Sequence, residues 1–363
     1  MKIEVVSFTG DSGLADYAVS LARSLSAHAN VSVVTARSLD TRFDAMGFAV
    51  ERVFRRSRHY PIDIFRFIAG VIRRRPDWLI VQGPLKFPLL DALVIRLLRA
   101  CGVSAAVTVH DVLPHYPRPW SRLEYGCYFR SFSRVIVHSA AAREGLRELG
   151  VLTTPLIVPH GVYDIFDLTA MDLSVARKHI GDLSDDDMVV LFFGHLEPRK
   201  GLMAFLDAAE SMSADASVKF LVAGGSTLAS HGERYARRLE AARGAPNLIV
   251  HDRRIPFEEV ERYFAASNIV ALPYLEGTTS GVLKLALAFG KPVVATRVGD
   301  FPEQIPAGAG ELIESDASIA GSLVAAIQKI REKYSDYAKA MGTARGAAEW
   351  ADIAASIYNY LRK

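Results

Sequence analysis

Short β-branched runs alternate with longer helical patterns along most of the chain, and this alternation restricts the fold more than any other feature of its 363 residues. Ile3–Phe8, Val31–Thr35, Trp78–Gln82, Ala105–His110 and Val135–His138 read as strands, with helical spacing between them, as over Leu14–His28. The texture changes around Tyr163–Asp187, where acidic and polar residues replace the apolar rhythm. A second series then follows: Val189–Phe193, Lys219–Ala223, Leu248–His251, Ile269–Leu272 and Pro292–Thr296. Such alternation is the mark of parallel βαβ units. The expected architecture is α/β, with two Rossmann-like doubly wound domains facing a cleft. Residues 1–163 form the first domain and 164–345 the second, and a closing helix over 346–363 packs back on the first.

Composition narrows the class. Half the residues are hydrophobic and 23% are charged, which suits two folded cores and excludes disorder, collagen and disulfide scaffolds. Cys101 and Cys127 form no CxxC and have no neighbouring His, so neither a disulfide framework nor a zinc site is expected. Met1–Gly10 reads as a strand entering a glycine loop rather than a signal peptide, and every apolar run is cut by Arg or Pro before bilayer length. A cytoplasmic chain with at most peripheral membrane contact is expected.

The net charge of +3 hides an asymmetry. Residues 1–165 hold 21 Lys plus Arg against 14 Asp plus Glu, a net of +7, and the remainder, 22 against 26, carries −4. Within residues 52–75, Arg52, Arg55, Arg56, Arg58, Arg66, Arg73, Arg74 and Arg75 are interleaved with Phe54, Tyr60, Phe65, Phe67 and Ile72. Arginines and aromatics on a helix suit the inner, anionic face of a membrane. A solvated basic helix is the plainer alternative, and no nucleic-acid module is legible.

In open parallel sheets ligands bind beyond the carboxyl ends of strands, so the loops there carry the chemistry. Pro273–Glu303 (PYLEGTTSGVLKLALAFGKPVVATRVGDFPE) runs strand, small-residue loop, helix, turn, strand and glycine loop. Gly277, Thr278, Thr279, Ser280 and Gly281, with Val282 behind them, would present N–H and hydroxyl donors at a helix N-terminus, a site for a diphosphate. Glu276 precedes the loop, where a carboxylate can accept hydrogen bonds from a ligand and steady developing positive charge. Phe192–Gly201 (FFGHLEPRKG) adds Gly194, His195, Arg199 and Lys200 after another strand. Gly224 ends LVAGGS, and Arg253 and Ile255 end HDRRI. On the N-terminal side stand Gly10, Ser12 and Gly13 in GDSGLADY, His110 and Asp111 ending VTVHD, His138 ending VIVH, and His160 in VPHG. Each also has a structural reading: a glycine helix cap, a solvated Arg–Lys pair, a packed histidine. The cluster Asp185–Asp187 reads as a solvated turn, and no metal-binding Asp-x-Asp is evident.

The order and spacing of these segments resemble family 4 of the retaining glycosyltransferases, the glycosyl transferases group 1, which have the GT-B fold. The resemblance implies a metal-independent transferase that moves a sugar from a nucleotide-diphosphate donor to a hydroxyl acceptor, lipid-linked, in glycan or polysaccharide assembly. It implies that Glu276 faces the sugar, that Lys200 and the small-residue loop hold the diphosphate, and that the base lies by Arg253 and Ile255. His195 occupies the family's Arg position, with Arg199 as substitute cation. His110 matches a family His facing the donor sugar, and Gly10, Ser12, Gly13, Asp111 and His160 fall on the acceptor side. One departure stands out. The family carries a second Glu, assigned to the ribose, eight residues after the first; counting from Glu276 gives Lys284, and counting back from Gly290-Lys291-Pro292 gives Leu285. A non-catalytic GT-B binding subunit, or another GT-B enzyme such as a sugar-nucleotide epimerase, is the alternative.

Overall fold

The structure, a computed structural model, describes the chain apart from residues 56, 115–116, 167–168, 277–279 and 348. Its contacts divide it into two compact units, Met1–Gly161 with Ala348–Lys363, and Val162–Ala347.

The first unit runs β1 (Lys2–Val6), α1 (Gly13–Leu25), β2 (Asn30–Ala36), β3 (Ala49–Phe54), α2 (Tyr60–Arg74), β4 (Trp78–Gln82), α3 (Pro88–Ala100), β5 (Ser104–Thr108), α4 (Ser121–Phe129), β6 (Arg134–Val137), α5 (Ala140–Glu148) and β7 (Leu156–Ile157). Among the described residues these strands form one parallel sheet of seven, ordered β3-β2-β1-β4-β5-β6-β7. Strand order reverses between β1 and β4, the point where open sheets of this kind leave a crevice. Sequence reading missed β3 and β7. Both are edge strands, the first with charges at Glu51 and Arg52 and the second only two residues long, so neither shows an apolar run.

The second unit runs α6 (Leu173–Ile180), β8 (Met188–Phe193), α7 (Leu202–Ser211), β9 (Val218–Gly224), α8 (Glu233–Ala242), β10 (Leu248–Asp252), α9 (Phe257–Ala266), β11 (Ile269–Leu272), α10 (Gly281–Ala288), β12 (Val293–Thr296), α11 (Phe301–Gln304), β13 (Gly310–Ile313), α12 (Ile319–Glu332) and α13 (Tyr334–Ala347). The parallel sheet is ordered β10-β9-β8-β11-β12-β13, with the reversal at β8 and β11. Beneath it the core is built on Val190, Phe205, Phe220, Val222, Leu323 and Ile327, all fully buried. The remaining helix, α14 (Trp350–Arg362), packs against α1 of the first unit. There Tyr358 stacks on His28, and the Tyr360 hydroxyl donates to the Thr154 carbonyl.

The basic segment 52–75 is not the uniform cationic surface that its composition suggests. Phe54, Tyr60 and Phe67 belong to the core. Arg74 reaches Glu4, which is fully buried, through Nε at 2.6 Å, and Arg55 pairs at 2.8 Å with Asp63, which is 1% exposed. These two arginines neutralise buried carboxylates and are withdrawn from any flat surface contact. Arg75 caps α2 in the left-handed region, with φ 48°. Arg58, Arg73 and Arg75 are exposed, and Arg56 lies outside the described residues.

Candidate functional site

At the sheet reversal of the second unit, the loops after β8 and β11 are fastened together. The Leu275 N–H donates to the Arg199 carbonyl at 2.8 Å, and Gly201 lies so close to Pro273 that a Cβ there would stand 1.7 Å from its carbonyl oxygen. Gly194 follows β8 with φ 100°, a conformation that favours glycine. A Cβ on it would meet Lys200 Nζ at 3.3 Å and Val282 Cγ2 at 3.5 Å. Lys200 Nζ also stands 5.5 Å over the Tyr274 ring, and the Tyr274 hydroxyl is 3.1 Å from Ser280 Oγ. Gly194 and Lys200 of the loop after β8 therefore meet Ser280 and Val282 at one place, at the N-terminus of α10. Ser280 makes no side-chain bond to the first turn of that helix. A cation and open helical N–H groups can hold an anion there.

Other residues expected at this site are arranged differently. Arg199 is tied to Glu197 through Nε at 2.6 Å. His195 is exposed. Arg253 is exposed and paired with Glu259 and Tyr263, beside half-buried Ile255. Gly224 serves the packing of the sheet, because a Cβ on it would stand 1.8 Å from the Gly194 carbonyl oxygen, and the missing side chain lets the ends of β8 and β9 close. Gly281 opens α10, with Tyr163 3.4 Å from the position a Cβ would take. Glu276 is exposed next to the loop, whose Gly277, Thr278 and Thr279 lie outside the described residues.

In the first unit, His110, His138 and His160 surround the buried ring of Tyr17, with centroid separations from it of 4.7, 5.3 and 5.0 Å. Their ligand nitrogens lie within 4.8 Å of one another, the one such group of three metal-ligating side chains among the described residues. The rings pack edge-on and tilted against Tyr17 and one another as an aromatic cluster. His138 Nδ1 is 3.2 Å from the Val158 carbonyl oxygen, and His160 Nδ1 is 2.9 Å from that of Gly161. Trp350 of α14 covers Gly161, where any Cβ would strike its ring at 2.3 Å. His110 Nε2 meets Gln82 Oε1 at 3.0 Å. Burial and then the neighbouring His138 hold its pKa well below the usual imidazole value, so it is neutral.

The remaining acceptor-side residues take varied places. Ser12 precedes α1 and bonds Thr9 through its hydroxyl; Gly13 is exposed and Asp111 half-buried. Gly10 faces protein: a Cβ on it would stand 2.4 Å from the Leu39 nitrogen, so this glycine admits a neighbouring loop and not a ligand.

Sequence reasoning overlooked four members of these sites. Gln82 orients His110, and its signal was a polar residue ending the apolar strand WLIVQ. Tyr274 joins Lys200 to Ser280 and stands two residues after the end of β11. Asp16 in the first turn of α1 has its carboxyl raised to about 7 by burial, with Asp11 adding to the effect. Trp350 lies nearly 200 residues from Gly161 and gave no local signal.

Comparison with known proteins adds an independent view. The model of the family described as "Glycosyl transferases group 1" matches residues 187–333, and that of the "Glycosyl transferase 4-like domain" matches residues 12–161. A D-inositol 3-phosphate glycosyltransferase of Segniliparus rotundus is 34% identical over 305 residues, covering 76% of this chain and 66% of that one. One of the same name from Geodermatophilus obscurus is 29% identical over 166 residues, covering 44% and 36%. The chain thus spans two thirds or less of these relatives. In fold it is similar to sucrose-phosphate synthase from Thermosynechococcus elongatus, with TM-score 0.78 and 19% identity over 100% of this chain and 98% of that one. It is equally similar to Anabaena HepE in complex with UDP and glucose, with TM-score 0.78 and 18% identity over 100% and 99%.

Proposed function

The chain belongs to the group 1 glycosyl transferases, and from that premise we propose that it transfers a sugar from a nucleoside-diphosphate donor held by the second unit to a hydroxyl acceptor. The observation that carries the reading is the meeting of Lys200, Gly194 and Ser280 at the uncapped N-terminus of α10. A diphosphate leaving group needs its growing charge stabilised, and an ammonium with helical N–H groups does this without a divalent metal. Solved relatives of this fold titled as complexes with UDP and with UDP-glucose support a nucleotide-sugar ligand. Glu276 then attends the sugar, and neutral His110 accepts or donates a hydrogen bond to a substrate hydroxyl. Transfer retains anomeric configuration: the acceptor attacks the face the diphosphate leaves, and the departing phosphate oxygen takes its proton, so no enzyme carboxylate need act as nucleophile.

Binding of UDP-, GDP-, ADP- and TDP-sugars with a metal chelator present tests the donor reading. Lys200→Ala should weaken binding about tenfold or more, and Glu276→Ala should mainly lower turnover. Unchanged binding and turnover in both would overturn the assignment. NMR of the product's anomeric proton tests retention.

The acceptor is lipid-linked in this reading, and the first unit meets it at an anionic membrane. Support comes from an exposed apolar surface on neighbouring helices: Ile62, Phe65 and Ile72 of α2, Leu93 and Leu97 of α3, and Leu123 of α4. Phe65 is 72% exposed and Leu93 63%. Arg66, Arg73, Arg96 and Arg122 are exposed on the same helices. Apolar side chains ringed by arginine suit insertion at an anionic interface, each charge adding on the order of 1 kcal/mol. Flotation with anionic vesicles should show salt-sensitive binding that is lost in Phe65→Ser/Leu93→Ser; absence of binding at low salt would refute it.

A further inference from the structure

Three neighbouring parallel strands of the first sheet, β5, β6 and β7, are each followed at the carboxyl end by a histidine, on the edge where open sheets bind ligands. Thr108 pairs with Ile136, and His110 and His138 each stand two residues beyond that pair, so their rings leave the sheet at one level. Val137 pairs with Ile157, and His160 follows Ile157 by three residues. Matched strand ends thus gather imidazoles that the sequence keeps far apart. His138 and His160 are buried and His110 is half-buried, and one ring nitrogen of each lies within 4.8 Å of those of the other two. Ring centroids are 5.5 Å apart between His110 and His138, 4.8 Å between His138 and His160, and 6.0 Å between His110 and His160.

Each ring also sets one nitrogen against a carbonyl-type oxygen: His138 Nδ1 against that of Val158, His160 Nδ1 against that of Gly161, and His110 Nε2 against the side-chain oxygen of Gln82. Such an oxygen only accepts, so the nitrogen facing it carries the proton, and a neutral ring keeps its lone pair on the other nitrogen. Metal-bound imidazole has this arrangement, with one nitrogen on the ion and the other donating to an oxygen that fixes ring and tautomer. Fully buried Tyr17 packs on all three rings, and Trp350 packs on Tyr17, which holds the cluster together.

We infer that His110, His138 and His160 form a site for one divalent transition-metal ion such as zinc. Three imidazoles suit zinc, copper or nickel, and not magnesium or calcium, whose ligands are oxygens. Bonds of about 2.0–2.1 Å draw the nitrogens closer than their widest spacing here, and His110, the least enclosed of the three rings, is the one to swing inward. Three protein ligands leave the fourth position of a tetrahedral ion to water or a substrate oxygen. The site belongs to the first unit and does not depend on the donor reading. An ion on His110 engages both of its nitrogens, so the loaded chain lacks the hydrogen bond proposed above between this ring and a substrate hydroxyl.

The test is to strip the chain with a chelator, return it to chelator-free buffer, titrate it with zinc against a chromophoric chelator and, separately, load it with cobalt. We expect one equivalent bound more tightly than micromolar, the intense visible absorption of four-coordinate cobalt, and a higher melting temperature with zinc. His138→Gln and His160→Gln should each weaken zinc about a hundredfold, and Gln82→Leu, which removes the oxygen facing His110, about tenfold. His28→Gln, at an exposed histidine outside the cluster, should leave binding unchanged. Absence of stoichiometric uptake by the folded wild-type chain overturns the site. Uptake that survives in both cluster variants also overturns it, marking binding at exposed histidines. Where the variants do not fold, X-ray absorption of the zinc-loaded wild type decides: three imidazoles around the ion uphold the site, and fewer overturn it. Zinc should also slow transfer reversibly; undiminished transfer with the site occupied overturns the hydroxyl role of His110 and leaves the metal site standing.

Discussion

Gly201 packs against Pro273 with no room for a side chain: a Cβ would lie 1.7 Å from the Pro273 carbonyl oxygen, and the glycine holds φ 72°. This contact fixes the loop after β8 to the loop after β11, on either side of the sheet reversal. Gly201→Ala combines a left-handed alanine with a clash against backbone that cannot rotate away. Destabilisation of about 3 kcal/mol or more is expected, measured by urea unfolding, together with weaker nucleotide binding under conditions where the variant remains folded. A stability change under 1 kcal/mol would mean the two loops are not clamped here.

The pairing of Arg74 with fully buried Glu4 leads to a contrast between adjacent arginines. Removing one partner of a buried pair leaves an uncompensated charge, at about 3–5 kcal/mol. Arg74→Ala should lose stability on that scale, whereas Arg73→Ala, at an exposed position, should stay within about 0.5 kcal/mol. Chemical denaturation of both variants checks this, and equal effects would contradict the pairing.

Asp16 sets a pH dependence. Its folded pKa, about 7, lies above the ordinary value of 3.8, so the folded chain binds the extra proton between those limits. Stability from this group is full below pH 3.8 and declines as pH rises toward 7, by up to roughly 4 kcal/mol. Asp16→Asn should remove that decline and be the more stable form at pH 8. If both proteins show the same slope between pH 4 and 7, the carboxyl is not held protonated.

His110 works in the opposite direction. Its folded pKa is depressed, so the unfolded chain takes up the proton first, and stability falls as pH drops through 6.5. His110→Gln should flatten the acid limb below pH 6.5. NMR of the ring protons should show His110 neutral at pH 6, and a titration there at the ordinary value would rule out the burial that its contacts with Tyr17 and Gln82 imply.

Much of this was readable in the residues. Trp78–Gln82 and Ile269–Leu272 were placed as strands to the residue, because strands inside parallel sheets are apolar runs with sharp ends. The segment proposed to hold the diphosphate was legible because its parts, a strand, a small-residue loop and a helix start, are neighbours in sequence. Edge strand β3 was not, since its charged residues gave no such run, and the arginines after it read as surface because their buried partners, Glu4 and Asp63, cannot be inferred from composition.

The sequence by itself determined the alternating α/β architecture, the family and the segment proposed to bind the diphosphate, since each rests on local pattern. Tertiary structure alone decided which arginines are exposed, which glycines admit backbone in place of ligand, and that Trp350 closes over Gly161 beside three histidines drawn from separate strands. These outcomes depend on long-range packing and desolvation, which act between residues that the chain order keeps far apart.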